Sequence, residues 1–404
     1  MQATAARRGL AGWAVVAVLF WATTSVEALS WTQLGAYTPT YLRTLGVSPH
    51  DLPGWTAAMA SVSWLIGIPM APFWGVLADR YSRKAIVVRS AIVEAVIFAG
   101  WAAASGPWMA LFFNCLSGFV LGNTGVMLAI QASLTTPQRL GLAVGIVGAG
   151  GPTGLALGPV TGALLIHPFG VRGMLLFDAA AAVVMAVLLL LLVREPPRDR
   201  PVGVGPLRLL RDAVAEILAN PMLWRMFAAL FAALAAAWLT RPFLPILIAR
   251  FAELRLYDAT AAVGVVLSAV GTAQAVSSPI WGRVIDRYGQ VRVLMLTTLA
   301  GAGALLFAGF ASGLYSLAAW LLVYGCVAAA LSTGTMALLA RTVTPERRGA
   351  VLGQIYFPFY VSGLVGPPAG AFLFVHGQLP LFAAAAGLTL VPFALLLSRW
   401  RSAA

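Results

Sequence analysis

Charged residues are scarce in this sequence: Lys, Arg, Asp and Glu make up only 10% of its 404 residues. A water-soluble domain carries about 25% charged residues. Hydrophobic residues account for 60% of the chain, and the mean hydropathy is +0.89. A soluble fold of this composition would expose more apolar surface than it buries, so the sequence predicts a protein embedded in a lipid bilayer.

Cysteine and histidine are also rare. The two cysteines, Cys115 and Cys326, lie in apolar stretches without a CxxC pattern, which argues against a structural disulfide or a zinc site. The three histidines, His50, His167 and His376, fall near predicted outer loops. The sequence contains no Walker loop, HExxH motif or plausible catalytic triad. We therefore expect a protein that is not an enzyme and that needs no metal and no cofactor.

Basic residues exceed acidic ones, 26 against 13, which gives a formal net charge of +13. In a soluble protein this excess would suggest a nucleic-acid partner. Here the basic residues lie in short loops between apolar runs, without a patch of interleaved aromatic residues. We interpret them as topology signals and expect no nucleic-acid binding.

Long apolar runs recur along the chain. A membrane-spanning helix needs about 20 mostly apolar residues. The pair Arg7-Arg8 precedes a run that is too long for a signal peptide, so we interpret this run as the first span. The twelve predicted segments are 11–42, 55–78, 85–104, 107–132, 139–165, 172–193, 222–249, 259–283, 291–311, 314–340, 349–374 and 378–399.

One long polar interruption, 194–221, divides the chain. Its part from Leu207 to Leu218 has apolar residues at helical spacing, which predicts an amphipathic helix on the membrane surface. The predicted organisation is an N-terminal six-helix bundle over 1–193, this cytoplasmic linker, and a C-terminal six-helix bundle over 222–404.

The distribution of Lys and Arg predicts the orientation in the membrane. With the N-terminus inside, 21 basic residues fall in inner loops and tails, against four in outer connections: Arg43, Arg172, Arg250 and Arg255. An even number of spans then places both termini in the cytoplasm. Arg241 is left inside the seventh predicted segment.

An internal repeat relates the two halves, because three groups of residues recur at a separation of 207 or 208 positions. Gly75, Asp79 and Arg80 recur as Gly282, Asp286 and Arg287; Thr136, Pro137, Arg139, Gly141 and Gly145 recur as Thr344, Pro345, Arg347, Gly349 and Gly353; Gly158, Pro159 and Gly162 recur as Gly366, Pro367 and Gly370. Duplicated halves are a known transporter plan, with the substrate site near the bilayer midplane.

Residues 75–84, GVLADRYSRK, resemble the loop signature GxLaDrxGrk of the major facilitator superfamily, with Ser82 where glycine is usual. Residues 281–289, WGRVIDRYG, resemble its weaker second copy. The resemblance implies the fold of that superfamily, an all-α membrane protein with twelve transmembrane helices in two pseudo-symmetric six-helix bundles.

The fifth predicted segment resembles the antiporter signature G(x8)G(x3)GP(x2)GG of proton-coupled drug exporters in that superfamily, with Ala163 in place of the last glycine. The matching residues are Gly145, Gly154, Gly158, Pro159 and Gly162. Small residues let helix backbones approach closely, and proline bends a helix, so this segment is predicted either to rock against the opposite half or simply to pack tightly.

The fourth predicted segment departs from the pattern of these exporters. They often carry an arginine there, in a pattern RxxxG implicated in proton handling. The corresponding stretch in this chain runs from Asn114 to Gly118, so the basic charge is missing.

The basic cluster that ends the second predicted segment has two interpretations. The resemblance implies an inner gate. In it, Asp79 pairs with a neighbouring basic residue or with the start of the eleventh predicted segment, 349–374, and these bonds open during transport. The alternative is an anchor at the inner membrane surface. The residues of the gating interpretation are Gly75, Asp79, Arg80, Arg83, Lys84, Asp286 and Arg287.

Three acidic residues fall inside apolar runs: Glu27, Glu94 and Asp178. A carboxyl group inside the membrane is costly, so each is a functional candidate. Glu27 is the first choice, because Trp31 lies one turn later on the same helix face and an aromatic face beside a carboxylate suits a lipophilic cation. Burial would also let Glu27 exchange protons. Glu94 and Asp178 are coupling candidates, with structural hydrogen bonds as the alternative.

Other polar and aromatic residues inside the spans complete the set of binding candidates. Arg241 precedes Pro242 and Pro245, which predict a broken backbone; it either meets a negative partner or extends to the outer headgroups. The remaining candidates for the substrate or proton site are Asn114, Gln131, Gln274, Tyr356 and Tyr360. Core packing explains the aromatic members equally well.

The sequence therefore predicts a secondary active transporter, most simply a proton-coupled exporter of lipophilic, cationic drugs in the bacterial cytoplasmic membrane. The alternative is a transporter of a specific sugar or metabolite, by export or uptake. A non-transporting receptor would need a soluble domain, for which the loops are too short. The expected partners are a small-molecule substrate, protons and the lipid bilayer, and the expected oligomeric state is a monomer.

Overall fold

The computed structural model of the protein describes residues 2–80, 82–120, 123–194, 221–342 and 356–403, with the isolated positions 211, 215 and 219. Every regular element in these residues is a helix. Inside a bilayer each backbone N–H and C=O needs a partner within the protein, and a helix supplies these partners within one segment. The predicted linker, including Leu207 to Leu218, lies almost wholly outside the described residues.

Fourteen α-helices are present in the described residues. Those of the first half are α1 (Gln2–Thr44), α2 (Leu52–Arg80), α3 (Arg83–Ala103), α4 (Pro107–Cys115), α5 (Asn123–Leu134), α6 (Leu140–Gly148) and α7 (Gly150–Leu192). Those of the second half are α8 (Pro221–Thr240), α9 (Leu244–Glu253), α10 (Ala259–Tyr288), α11 (Gln290–Gly309), α12 (Leu314–Thr342), α13 (Tyr356–Val375) and α14 (Gln378–Ala403). Each of the twelve predicted segments is mostly helical in the part that the structure describes.

Ten stretches of the described residues form helices that are long and apolar enough to cross a membrane. One of them, Pro137–Leu192, has 56 residues, about 84 Å of helix against a hydrocarbon core about 30 Å thick. It therefore covers the fifth and sixth predicted segments. α2 is a further helix of 29 residues that is not among the ten. These helices confirm an all-α membrane fold, and the count of twelve spans stays a prediction.

A single glycine separates the two spans within α7. Gly170 has φ 67° and ψ 176°, a backbone conformation that is unfavourable for residues with a Cβ atom. It lies in the short gap between the predicted segments 139–165 and 172–193. The chain therefore turns there even though its hydrogen-bonded helix is nearly continuous.

Two predicted spans are interrupted by 3-10 turns. The turn Leu116–Phe119 follows α4, and the turn Arg241–Phe243 separates α8 from α9. Pro242 and Pro245 cannot donate backbone hydrogen bonds, so the break that the sequence predicted after Arg241 is confirmed. The turn after α4 was not predicted, because its residues carry no proline.

Contacts divide the chain into two units. The first unit contains Met1–Leu34 and Leu65–Leu207, and the second contains Gly35–Trp64 and Arg208–Ala404. The segment from Gly35 to Trp64 contains the end of α1, the loop that follows it and the start of α2. This segment belongs to the second unit. The predicted bundles over 1–193 and 222–404 differ from these units in that segment, and they stay a prediction.

In the first unit α3 packs against α4, α5 and α7. A cluster of buried apolar side chains fills the space between α1, α3, α5 and α7 and includes Phe20, Ile86, Met127, Ile130 and Leu189. This core holds α1 in place beside α7. The polar residues of α1 that follow the core are thereby fixed in position.

In the second unit α11 packs against α12 and α14, and α13 packs against α8. The end of α1 is attached to this unit by polar contacts. The Tyr37 hydroxyl donates a hydrogen bond to the Thr260 carbonyl oxygen at 3.2 Å, and Arg43 forms an exposed ion pair with Glu253 at 3.6 Å. These contacts explain why Gly35–Trp64 is grouped with the second unit.

Candidate functional site

Glu27 lies near the middle of the span Gly12–Thr44, where a carboxyl group is most costly. Its Oε2 atom accepts a hydrogen bond from Asn123 Nδ2 at 2.7 Å. Asn123 is oriented by its own Oδ1 atom, which accepts a hydrogen bond from the Thr124 backbone nitrogen at 2.7 Å. The first residue of α5 therefore holds the Glu27 carboxyl group in one orientation.

Glu94 lies in α3 and is almost completely buried, with 5% of its surface exposed. The Trp31 side chain makes a polar contact with its carboxyl group, and the Trp31 ring lies 5.4 Å from that of Phe98, one turn further along α3. The charges of Glu27 and Asp178 both act on Glu94. The three acidic residues that the sequence singled out are therefore neighbours in the first unit.

Asp178 in α7 is fully buried and has hydrogen-bond donors from α1. Its Oδ1 atom accepts a hydrogen bond from Ser30 Oγ at 3.0 Å. The Gln33 amide, oriented to satisfy all its neighbours, donates to both Asp178 oxygens at 3.0 Å and accepts from Thr161 Oγ1 at 2.9 Å. Asp178 thus has the partners that a buried carboxylate needs.

The three acidic residues differ in exposure. Glu27 is partly exposed although it lies in the middle of a span, whereas Glu94 is 5% and Asp178 is 0% exposed. The described residues contain no group of three His, Cys, Asp or Glu side chains placed to hold a metal ion. A carboxyl group in a low-dielectric setting can bind either a proton or an organic cation.

Helices α1 and α7 touch through their backbones. A Cβ atom built on Gly154 would lie 2.5 Å from the Leu29 nitrogen and 2.5 Å from the Ser25 carbonyl oxygen. Across the same contact Thr32 Oγ1 donates to the Gly154 carbonyl oxygen at 3.2 Å. Gly158 lies against Thr32 in the same way, whereas a Cβ atom on Gly145 would meet nothing within 4 Å. The close contact therefore begins after Gly145.

The second unit contains a related contact at the repeated positions. A Cβ atom on Gly366 in α13 would lie 2.8 Å from Trp238 Cβ, and one on Gly370 would collide with the Leu239 carbonyl oxygen. Gly366 and Gly370 are the repeats of Gly158 and Gly162. Glycine thus permits close helix packing at equivalent positions of both halves.

Four aromatic rings form a cluster in the second unit. Tyr360 stacks on Trp64 at 5.3 Å with an interplanar angle of 24°, and Phe359 meets Trp64 edge-on at 5.3 Å. Trp238 contacts Trp64 at 5.5 Å and Phe359 at 5.6 Å. Gly363 lies against the Trp64 indole, leaving no room there for a side chain. Tyr360 was a sequence candidate, and Trp64 and Trp238 were not.

Two other candidates lie in packed surroundings of the first unit. Gln131 is fully buried, and its Nε2 atom donates to the Trp13 carbonyl oxygen and to Thr135 Oγ1, both at 3.0 Å. Asn114 is 4% exposed at the end of α4. A Cβ atom on Gly118, one turn later, would lie 2.7 Å from Ile66 Cβ, so this stretch packs tightly on α2.

The remaining binding candidates belong to the second unit. Arg241 is exposed at the break between α8 and α9, and Gln274 is partly exposed on α10. Tyr356 begins α13, but its side chain lies outside the described part of the structure.

The gating candidates are only partly described. Gly75, Asp79 and Arg80 lie in the helical backbone of α2, and their side chains lie outside the described part. Lys84 Nζ donates to the Leu190 carbonyl oxygen at 2.6 Å, and Arg83 begins α3. Asp286 and Arg287 are exposed near the end of α10, with the Arg287 guanidinium 5.3 Å from the Tyr288 ring centre. The gate stays a prediction.

Sequence reasoning missed Ser30, Gln33 and Asn123, which bind the carboxyl groups of Asp178 and Glu27. Ser30 follows Glu27 by three residues and Gln33 follows Ser30 by three, so helical spacing places Ser30 beside Glu27 and Gln33 beside Ser30. Asn123 carries no such signal, because its partner is on another helix.

Comparison with known sequences agrees with the all-α membrane fold. The chain matches the profile of the Major Facilitator Superfamily over residues 19–260 and 251–404. Multidrug resistance protein MdtG of Salmonella arizonae is 25% identical over 356 residues, covering 88% of this chain and 87% of that protein. MdtG of Salmonella typhi is 26% identical, with the same coverage.

Solved structures show the same fold. The nucleoside transporter NupG superposes with a TM-score of 0.77 at 16% identity, covering 96% of this chain and 99% of that one. A bacterial homologue of the human lysosomal transporter Spinster, inward-facing and unoccupied, superposes with a TM-score of 0.76 at 16% identity, covering 96% and 97%. The chain therefore belongs to the Major Facilitator Superfamily and is a multi-pass membrane transporter rather than an enzyme.

Proposed function

We propose that the protein is a secondary active exporter that exchanges lipophilic organic cations for protons by alternating access. The observation that carries this proposal is Glu27, a partly exposed acidic residue in the middle of a membrane span, one helical turn before Trp31. Among the described side chains none forms an ion pair with Glu27. The group is therefore available for a cationic ligand.

Exchange at a single carboxyl group couples the two fluxes. A proton and an organic cation both neutralise Glu27, and one carboxylate cannot bind both. A buried carboxylate without a neutralising ligand is unfavourable in the membrane, so the transporter changes conformation mainly when Glu27 is occupied. Each cation released on one side is then replaced by a proton before the site returns.

The names of the relatives support a drug substrate. The Salmonella proteins that are 25% and 26% identical to this chain are named multidrug resistance proteins. The Glu27 and Trp31 side chains offer a negative charge beside an aromatic face, and such a pair favours many flat or bulky cations without demanding one shape. The aromatic cluster around Trp64 offers a second apolar surface of the same kind.

The same proposal includes the topology and the gate. The excess of Lys and Arg in alternate loops favours cytoplasmic termini in a bacterial cytoplasmic membrane. The basic cluster with Asp79 acts as the inner gate, and Asp286 and Arg287 form its repeat. We expect one chain to be sufficient for transport, because each half supplies its own helix packing.

A second candidate function rests on Arg241. This residue is exposed at a helix break, and Asn114 stands where drug exporters of the family often have an arginine. An accessible guanidinium inside a span suits the hydroxyl or anionic groups of a sugar or other metabolite. In that case Arg241 rather than Glu27 would dominate substrate binding.

The test is ethidium transport in proteoliposomes under an imposed pH gradient. We expect the wild type to concentrate the dye against its gradient and Glu27→Gln to lose this ability. Glu253→Gln is the matched control, because it makes the same chemical change in a side chain that is 55% exposed. If Glu27→Gln transports like the wild type, Glu27 is structural. If no protein moves the dye, sugars and metabolites are tested with Arg241→Gln instead.

A further inference from the structure

The turn that joins α9 to α10 exposes two large apolar side chains. It lies between the spans Trp224–Glu253 and Ala259–Tyr288, and therefore at the membrane surface. Leu254 is 72% exposed and Leu256 is 96% exposed. Leucine in contact with water is unfavourable, whereas the same side chain at the surface of a bilayer can enter the hydrocarbon. The turn thus presents two leucines to the lipid that surrounds the ends of these spans.

Leu256 has a backbone conformation that leucine disfavours. Its φ angle is 58°, and in the described part of the chain no other residue except glycine has a positive φ. The Tyr257 nitrogen donates to the Ala252 carbonyl oxygen at 3.0 Å, which closes the end of α9 around Leu256. Glycine is the usual residue at this position of a helix end. A leucine that is both strained and exposed adds nothing to the fold, which indicates a role for its side chain outside the protein.

Two tyrosines meet beside this turn. Tyr257 ends the turn, and Tyr315 is the second residue of α12; both are exposed. The Tyr315 hydroxyl donates to the Tyr257 hydroxyl at 3.2 Å, and the ring centres lie 6.3 Å apart at 71°. This bond uses one of the two hydroxyl hydrogens. The other hydrogen is directed to the surroundings of the protein, where it can meet an acceptor at the depth of the lipid headgroups.

The same stretch carries two positive charges. Arg250 lies in the last turn of α9 and Arg255 lies in the turn itself; both are exposed, and neither forms an ion pair with a described side chain. The acidic residues of the stretch have other partners. Glu253 forms an ion pair with Arg43 at 3.6 Å, and Asp258 accepts a hydrogen bond from the start of α10 at 2.8 Å. The two guanidinium groups are therefore available to an anion.

We propose that the turn 254–258, together with Arg250 and Tyr315, binds the headgroup of an anionic phospholipid. The planar guanidinium of Arg255 suits a phosphate in a two-pronged contact, and a tyrosine hydroxyl adds one donor. Leu254 and Leu256 contact the acyl chains next to that phosphate. A zwitterionic lipid carries an ammonium group that neutralises its own phosphate, so the site prefers a lipid with a net negative charge. The proposal does not depend on Glu27 or on the transported substrate.

The test is the thermal unfolding of the purified, delipidated full-length protein in detergent, because a ligand that binds the folded state raises the unfolding temperature. Phosphatidylglycerol, phosphatidylcholine with the same acyl chains, and glycerol phosphate are each titrated. We expect phosphatidylglycerol to raise the unfolding temperature at a concentration about tenfold lower than phosphatidylcholine, and glycerol phosphate to have no effect. Equal midpoints for the two lipids would overturn the preference for an anionic headgroup. An equal effect of glycerol phosphate would show a site for free phosphate and overturn the lipid as its occupant.

Arg255→Gln locates the site. This variant is expected to need about tenfold more phosphatidylglycerol for the same rise in unfolding temperature, because the phosphate loses a charged hydrogen-bond donor. Arg172→Gln is the matched control: it removes the same charge, but the Arg172 guanidinium already donates to the Ala104 carbonyl oxygen at 3.0 Å. We expect Arg172→Gln to retain the midpoint of the wild type. Equal shifts in the two variants would show that the overall charge attracts the lipid, and the local site would be wrong.

Leu256→Gly keeps the test valid if Arg255→Gln fails to fold. Glycine adopts a φ of 58° without strain, so this variant is expected to unfold in lipid-free detergent at a temperature at least as high as that of the wild type. Its further rise with phosphatidylglycerol is expected to be smaller, because one apolar contact with the lipid is missing. A rise equal to that of the wild type would show that Leu256 does not contact the lipid, and the proposed role of the turn would be wrong.

Discussion

The side-chain amide of Asn123 donates a 2.7 Å hydrogen bond to Glu27 Oε2. This bond joins the start of α5 to the middle of α1. A hydrogen bond to a charged acceptor stabilises it by about 1.5–3 kcal/mol. In the proposed exchange, this bond would stabilise the ionised form of Glu27 that binds the cation.

Asn123→Leu removes this donor without adding a new one. We expect the pH dependence of tetraphenylphosphonium binding to move to higher pH by about one to two units, because a proton then competes better for Glu27. Equilibrium dialysis over a pH series measures the midpoint. Asn123→Asp is not a suitable control, since it adds a charge; Gln378→Leu removes a side-chain amide in the second unit that donates to the Gly309 and Ala311 carbonyl oxygens. An unchanged midpoint in Asn123→Leu would mean that the bond has no role in proton competition.

Gly154→Ala places a Cβ atom 2.5 Å from the backbone of α1. Forcing extra volume into a packed contact costs about 1–3 kcal/mol, so we expect a lower thermal unfolding temperature in detergent and reduced transport. Gly145→Ala is the matched control, because nothing lies within 4 Å of its Cβ position and the added methyl group favours helix. Similar unfolding temperatures for the two variants would contradict the close contact between α1 and α7.

Gln33→Leu takes two hydrogen bonds from the Asp178 carboxylate. We expect destabilisation by about 1–3 kcal/mol, because a buried charged group loses its donors. The double variant Gln33→Leu with Asp178→Leu removes donor and acceptor together. Its loss of stability is expected to be smaller than the sum of the two single losses, measured as a coupling energy in thermal or denaturant unfolding. Additive losses would indicate that the two side chains do not interact.

Asp51, outside the spans, has a pKa below its ordinary value because its carboxylate accepts hydrogen bonds from the Ser48 hydroxyl and from His50. The Ser48–Asp51 contact is therefore fully present above the ordinary pKa of aspartate and is lost as the pH falls through the lowered pKa. Ser48→Ala is expected to raise the pKa of Asp51 toward the ordinary value. Carbon-13 NMR titration of the Asp51 carboxyl group measures it, and an unchanged pKa would exclude Ser48 as the cause.

The sequence predicted the features that depend on one helix at a time. Apolar length alone located the spanning segments, and Pro242 and Pro245 located the break after Arg241. The placement of Trp31 one helical turn after Glu27 followed from a separation of four residues. In each case the cause is local, since hydropathy, proline chemistry and helical periodicity act within one segment.

The sequence could not predict features that depend on contacts between helices. Asn123 and Glu27 are 96 residues apart, and Ser30 and Asp178 are 148 residues apart. Nothing in the sequence indicated that the charges of Glu27 and Asp178 act on Glu94. Tertiary packing decides which faces of α1, α3 and α7 meet. The residue pattern of a single sequence does not predict that choice.

The backbone contact between α1 and α7 has a mechanical consequence. Gly154 and Gly158 fit against the ridge of α1 formed by Ser25, Leu29 and Thr32. Sliding by one residue would bring Leu155 or Pro159 against that ridge, and neither has room. This contact therefore blocks a slide of α1 along α7. Glu27, two residues after Ser25 on α1, is held at a fixed height relative to Gly154 of α7.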